Sequence, residues 1–462
     1  MVKKGQFMEK GVVSIIEYGA ESGSKKLQTD SIQAAIDACF LAGGGEVQIP
    51  AGRWLTGGLM LRSNITLHLL ENAVLVGSKD PEDYFGYLYD TVDPLPAEMI
   101  TDGPWNPAVI GRERDYRFMR IPGSRWNNAL IRAVNAKNVQ IIGEKGSVLD
   151  GCDCYDEQGE EHYRGPHCMN MYYCENIKLS GYTVKDSANW AHALFYSANI
   201  MVENVTVLAG HDGVHVTACN DITISDCNFF SGDDCIAGFA NENVVVKNCE
   251  LNSACSAFRF GGTNVLIENC HMFGPCRYLF RGSLTAEEKK NGIKPSVEGH
   301  RNNMLSAFTY YSDFAFQIEK QPGNIVIRDC RIDYADRFLH YNYSGNERWQ
   351  QNRPLESITF ENICATDISM PLTAYGDKQV PLKLTFKNVD ISLREEYEDI
   401  VFMNACNYEK IKLENVRLEN YRGDTLIKTW SDGEIDIKEV YCNNLPGQLI
   451  KKAEDKFDCK AI

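Results

Sequence analysis

Two short acidic motifs carry the residues of this chain best suited to chemistry. One is GHDGVHV at 210–216 and the other is GDDCIAG at 232–238. Asp212 and Asp233 stand 21 residues apart, and Asp234 follows directly. Three carboxylates gathered in one place repel one another and lose hydration, which drives at least one toward its protonated form. A carboxylic acid kept protonated near neutral pH is a general acid, and an ionised neighbour can activate water. Acid and base carboxylates in these roles are what cleavage of a glycosidic bond requires. Two other readings stand beside that one. Asp is common at strand-flanking turns because its side chain caps backbone groups, and three carboxylates also form an oxygen-rich set of the kind calcium accepts.

The spacing of the two motifs belongs to a repeat. The segments NIKLSGY (176–182), NIMVENV (199–205), DITISDC (221–227), NVVVKNC (243–249) and NVLIENC (264–270) align at steps of 23, 22, 22 and 21 residues. Further copies are NIVIRDC (324–330) and SITFENI (357–363), with looser ones at 411–416 and 435–440 and upstream ones at 64–69 and 138–143. Each alternates apolar and polar residues, so each is a strand with one face on a core. About 22 residues is too short for a strand, a helix and their connections, and the pattern predicts coils of a parallel β-helix stacked about 4.8 Å apart. The leucine-rich repeat has a similar period, but its leucine consensus is missing and β-branched residues dominate.

Stacked coils turn equivalent residues into ladders. Asn204, Asp226, Asn248 and Asn269 are expected to form a polar ladder at turns. Cys227, Cys249 and Cys270 are expected to form an inward ladder of free, buried thiols. In the same register Asp212 and Asp233 stack on neighbouring coils at one turn-to-strand junction, with Asp234 beside them. The next rung is Ala254-Cys255-Ser256, with Arg259 close behind and Arg281 a further 22 residues on.

Residues 31–42 are apolar at helical spacing, with Thr29 or Asp30 as N-cap and glycines 43–45 as the stop. Such a helix would cover the open first coil and block edge-to-edge association, so residues of about 12–60 are read as an N-terminal cap. Residues 81–127 fit no repeat and, being rich in Tyr, Pro and Trp, read as a long ordered insertion. The charged break at 284–299 reads as a solvated loop or short helix. The 462 residues are thus expected to form one all-β solenoid domain rather than two or three globular ones.

Composition narrows the function. Hydrophobic residues make up 44% of the chain, which excludes general disorder. With 63 acidic against 47 basic residues the net charge is −16, which disfavours nucleic acid and anionic membrane as partners. No apolar run approaches the roughly 18 residues of a membrane span. The opening MVKKGQFMEK has no continuous apolar stretch of the kind an export signal needs, so a cytoplasmic location is expected. In that setting the 17 cysteines read as core thiols rather than a disulfide framework. No cofactor is expected.

Several segments resemble a known family. IEYGA (16–20), SIQAAID (31–37), GGGEVQIPAG (43–52) and LRSNITLH (61–68) resemble the N-terminal part of glycoside hydrolase family 28, the polygalacturonase and rhamnogalacturonase family. GDDCIA (232–237) resembles its double-aspartate motif. His211-Asp212-Gly213 takes the place of its Asn-Thr-Asp motif, and SANWAH (187–192) resembles a cleft-lining segment one coil earlier. The resemblance runs from about residue 12 to 283, and more loosely to the end. It implies a right-handed parallel β-helix and inverting hydrolysis, with Asp233 as general acid and Asp212 and Asp234 holding and deprotonating the attacking water. Inverting sites separate acid and base by roughly 6.5–9.5 Å, so side-chain direction must widen the spacing of adjacent coils.

Departures from the family bear on the substrate. Its Gly-His-Gly motif falls on Ala254-Cys255-Ser256, and its Arg-Ile-Lys motif falls on YLFRG (278–282), which leaves Arg281 as one cation. Arg259, Arg277 and Arg281 either rebuild a pocket for a substrate carboxylate or pair with the aspartates. His192, His211 and His215 are sugar-contact candidates or local hydrogen-bonders. Trp190, Tyr310, Tyr311, Tyr341, Tyr343 and Trp349 are stacking platforms or packing. Cys255 is a substrate contact, and with no basic histidine identifiable beside it, it is not expected to be a nucleophile. The expected function is hydrolysis of α-linked glycosides in pectin-type or related plant oligosaccharides, exo-acting if residues 81–127 close one end of the cleft. The alternatives are a calcium-dependent lyase on the same fold and a non-catalytic carbohydrate-binding β-helix.

Overall fold

Apolar residues alternating with polar ones give short strands here, and every strand ladder joins parallel neighbours, as the registers of successive coils show. The computed structural model describes residues 11–84, 125–291, 300–310, 321–343, 353–395, 401–443, 446–455 and 457. They fall into two compact units. Among the described residues the first comprises 11–84, 125–211 and 284–291, and the second comprises 212–283 and those from 300 onward.

In the first unit each coil supplies three strands. The strands Ala129–Val134, His167–Tyr172 and His192–Phe195 pair side by side, with Ile131, Met169 and His192 on one rung and Arg132, Asn170 and Ala193 on the next. A second ladder stacks Val139, Ile177 and Ile200, and a third stacks Val148, Thr183 and Thr206. The helix Thr29–Leu41 buries Ile32, Ala35, Ile36 and Cys39. The Gln33 amide closes a reciprocal pair with the backbone of Met60, at 3.0 and 2.8 Å. The N-cap position falls on Gln28, not on Thr29 or Asp30. The Thr29 hydroxyl accepts instead from the Gly57 N–H at 2.8 Å, so the expected capping group is spent on a neighbouring coil.

In the second unit one rung runs His215, Ala237, Arg259, Thr309, His340, Thr373, Asn404. A core rung runs Ile222, Val244, Val265, Ile325, Ile358, Leu384, Ile411, all buried. Burying each such side chain contributes about 1.5–3 kcal/mol. The spacing between rung partners is 22 and 21 residues at first, then 60, 33, 26 and 27. A uniform period near 22 is therefore local, and the extra residues leave the coil between strands.

The corner turns explain the asparagines. Asn243, Asn248, Asn264 and Asn269 all have positive φ, between 51° and 57°. The left-handed region is costly for most L-residues and least so for Asn and Asp, apart from glycine. Each side chain also bonds its neighbour on the next coil: Asn248 to Asp226 at 3.0 Å and Asn269 to Asn248 at 2.7 Å. Cys227, Cys249 and Cys270 are buried free thiols that donate to the carbonyls of Ser225, Lys247 and Glu268 at 3.1–3.3 Å, and Cys330 continues the row.

Of the 81–127 segment only 81–84 and 125–127 lie within the described residues, as the short turns Pro81–Asp83 and Arg125–Asn127. Of 284–299, the described part includes a short helix, Ala286–Asn291. Residues 1–10, on which the export-signal reading rests, lie outside the described residues. Among the described residues no helix is long and apolar enough to cross a membrane.

Candidate active site

The acidic motifs meet at strand entries of the second unit. Asp212, Asp233 and Asp234 each present a carboxylate oxygen within 4.8 Å of the others. The strand partners are Val214 and Ile236, a spacing of 22 residues, so the rung partner of Asp212 is Asp234 and not the expected Asp233. The backbone states the same register. The Asp234 N–H donates to the Asp212 carboxylate at 3.3 Å, and the Gly213 N–H donates to the Asp234 carbonyl at 2.9 Å. Two glycines make this approach possible. A Cβ on Gly213 would lie 2.5 Å from the Cys235 carbonyl oxygen, and Gly238 has φ +127° with the Val216 carbonyl against it.

Arg259 joins the two stacked acids. Its Nε donates to Asp234 Oδ2, and Nη2 lies 3.6 Å from Asp212 Oδ2. Burial opposes the guanidinium charge, but Asp234 and then Asp212 outweigh it and hold Arg259 well above its ordinary range. The Asp234 carboxylate also accepts from the Ser256 N–H at 3.1 Å. The sequence left two roles open for Arg259, and in this structure it is the salt partner of the aspartates. It also places a fixed positive charge where a cation would otherwise have to be bound. Asp233 is the most exposed of the three acids: the side chains of Asp212 and Asp234 are only 1% and 4% exposed. Its backbone is tied down by Ser253, whose hydroxyl donates to the Asp233 carbonyl at 2.6 Å.

His215 sits two residues beyond Gly213 and bonds Asp212 Oδ2 through Nδ1 at 2.9 Å. A carboxylate only accepts, so Nδ1 carries the proton. Burial first, and then Arg259, push the His215 ring well below its ordinary range, so it donates as a neutral imidazole. Cys255 is half-buried, and burial followed by Asp233 raises its thiol well above the ordinary range, which removes the thiolate a nucleophile needs. Arg301, which sequence reasoning did not single out, contacts its sulfur at 3.6 Å and donates to the Ala254 carbonyl at 2.7 Å.

The other expected contacts separate. Arg281 is not the rung after Arg259; that place belongs to Thr309. The chain leaves the coil after the strand His271–Phe273 and returns at Met304–Tyr310, and Arg281 lies buried in a turn of that excursion. Burial lowers its guanidinium to about 10. Arg277 stacks over the Phe230 ring at 4.4 Å. Tyr310 and Tyr341 pack edge to face at 5.3 Å, and their hydroxyls bond the Arg353 carbonyl and the Leu355 N–H, so both are packing residues. Tyr343 is half-buried. Tyr311 and Trp349 lie outside the described residues.

In the first unit His192 points inward and bonds the Tyr182 hydroxyl at 3.0 Å. Trp190 packs against Trp126 at 4.9 Å and His167 at 5.7 Å. His211 is buried, stacks on Tyr163 at 6.1 Å, and is lowered well below its ordinary range by burial, then Arg164, His167 and Lys289. Tyr163 comes from a short hairpin that no periodic signal announced.

A coil of parallel strands bearing three clustered carboxylates defines a class, the carbohydrate-active parallel β-structures. The model of "Glycosyl hydrolases family 28" matches residues 119–256, the segment that carries all three aspartates. The chain is 29% identical over 235 residues to a probable polygalacturonase of Vitis vinifera, covering 48% of this chain and 43% of that protein. It is 28% identical over 253 residues to the exo-poly-alpha-D-galacturonosidase of Dickeya chrysanthemi, covering 49% and 41%. The chain therefore spans less than half the length of these relatives. The Yersinia enterocolitica family 28 exopolygalacturonase has a similar fold, with a TM-score of 0.62 at 16% identity over 97% of this chain and 79% of that one.

Proposed function

We propose that this protein is a glycoside hydrolase acting on α-linked, uronate-containing oligosaccharides of the pectin type. The observation that carries the reading is the asymmetry of the acid cluster. Asp212 and Asp234 are buried, share Arg259, and are fixed by backbone N–H groups, while Asp233 is the more exposed acid beside them. In this reading Asp233 protonates the glycosidic oxygen, and Asp212 and Asp234 hold and deprotonate the attacking water. The homologous polygalacturonases and exo-poly-alpha-D-galacturonosidase support a galacturonate substrate and attack from a chain end. A right-handed β-helix with the Thr29–Leu41 helix over its first coil is part of the same proposal.

The closest carboxylate oxygens are nearer than the separation typical of inverting sites, so stereochemistry is a sharp test. Proton NMR of the first product formed from trigalacturonate is expected to show the β anomer. An initial α anomer would mean retention, with one of the aspartates acting as a nucleophile, and would overturn the proposed mechanism.

A further inference from the structure

Some polar atoms in the first unit are buried with no protein partner. The Asn170 side chain is fully buried, and neither its amide nitrogen nor its carbonyl oxygen has a hydrogen-bond partner. The Asn128 side-chain oxygen and His211 Nδ1 are in the same condition. Buried polar groups are ordinarily paired, because leaving one unmade loses its hydration with nothing in return. Three such residues in one unit point to something that is bound there part of the time.

The strand pattern says which face is concerned. Met169 and His192 share a rung with Ile131, and His192 meets Tyr182 in the interior. Asn170 is one residue on, so its side chain lies on the opposite face of the strand. Its rung partner there is Arg132, itself fully buried, whose guanidinium lies 5.3 Å from the Tyr172 ring centre. The face thus offers an amide with two donors and an acceptor, a guanidinium and an aromatic ring. An amide able both to give and to accept matches adjacent hydroxyls of a pyranose, and the neighbouring cation favours a ring bearing a carboxylate.

We infer that Asn170, beside Arg132, is a binding position for a uronate sugar ring. The inference rests on the proposed function for the identity of the sugar. Its argument from unmade hydrogen bonds stands on this unit alone.

The test uses the full chain carrying Asp233→Asn, so that ligand is bound and not turned over. Calorimetric titration with trigalacturonate is compared for that protein and for the same protein with Asn170→Ala or Asn170→Val. At least a tenfold loss of affinity is expected in both, with melting temperatures of the free proteins unchanged or higher. Unchanged affinity overturns the inference, as does absence of any trigalacturonate binding. A fall in melting temperature in both variants overturns it too, because Asn170 would then be hydrogen-bonded within the free protein. Hydrolysis is read separately on the chain without Asp233→Asn. Turnover with a KM indifferent to Asn170 refutes this inference and leaves the proposed function standing. Asn170-dependent binding without turnover does the reverse.

Discussion

At the residue scale, the site is a set of acids sorted by their partners. Asp212 receives a neutral histidine, a backbone N–H and the edge of a guanidinium, while Asp234 receives the guanidinium head-on. The His215 bond favours the ionised form of Asp212. Replacing His215 by Leu removes that support, so Asp212 protonates at higher pH. The acid limb of the kcat/KM profile is expected to move up by about one pH unit. His215→Asn, whose amide nitrogen can stand where Nδ1 stands, is expected to restore most of it. An acid limb unmoved in His215→Leu would reduce His215 to a packing residue. Sequence showed the three aspartates and Arg259 because their spacing falls in the repeat. It misassigned the rung, since 21 and 22 residues both fit the period and only the hydrogen bonds decide. Nor could it separate catalytic from packing tyrosines, because that depends on where each hydroxyl finds a partner.

At the scale of the elements, the coil corners hold the strands in register. An Asn at each corner serves twice: it accepts a left-handed backbone, and its amide bonds the next coil. Asn248→Ala loses both and is expected to destabilise by about 1–3 kcal/mol. Asn248→Gly keeps the backbone freedom and should cost less. Denaturant unfolding of the two variants checks the order, and Ala milder than Gly would refute this account of the corners. These ladders were legible as a repeated Asn or Asp before each strand and at its end. The excursion after His271–Phe273 was not legible as a break in register. Arg281 happens to lie one period beyond Arg259, while the true partner, Thr309, lies 50 residues on.

At the scale of the whole molecule, the chain combines coil-forming segments with a net charge of −16 and buried histidines held neutral. For His211 and His215 the folded-state ring titrates well below its ordinary value. Below about pH 6.5 the unfolded chain takes up protons that the folded chain refuses. Stability should therefore fall with pH from about 6.5 down to the folded values, by about 1.4 kcal/mol per pH unit for each histidine. Unfolding free energies measured across this range should fall less steeply in His215→Asn, and an unchanged slope would contradict the assignment. The cysteines complete the picture: all those among the described residues are free thiols, so stacking rather than cross-linking holds the coils. This much of the fold was legible because a solenoid writes its architecture into a local period.

The central claim is that Asp233 is the acid of a glycosidic cleavage. The most direct measurement is the rate of trigalacturonate hydrolysis by Asp233→Asn, with circular dichroism and melting temperature recorded on the same samples. The predicted result is a loss of at least about 10³-fold in kcat with the fold and its stability retained. Full activity in a folded Asp233→Asn protein would contradict the claim.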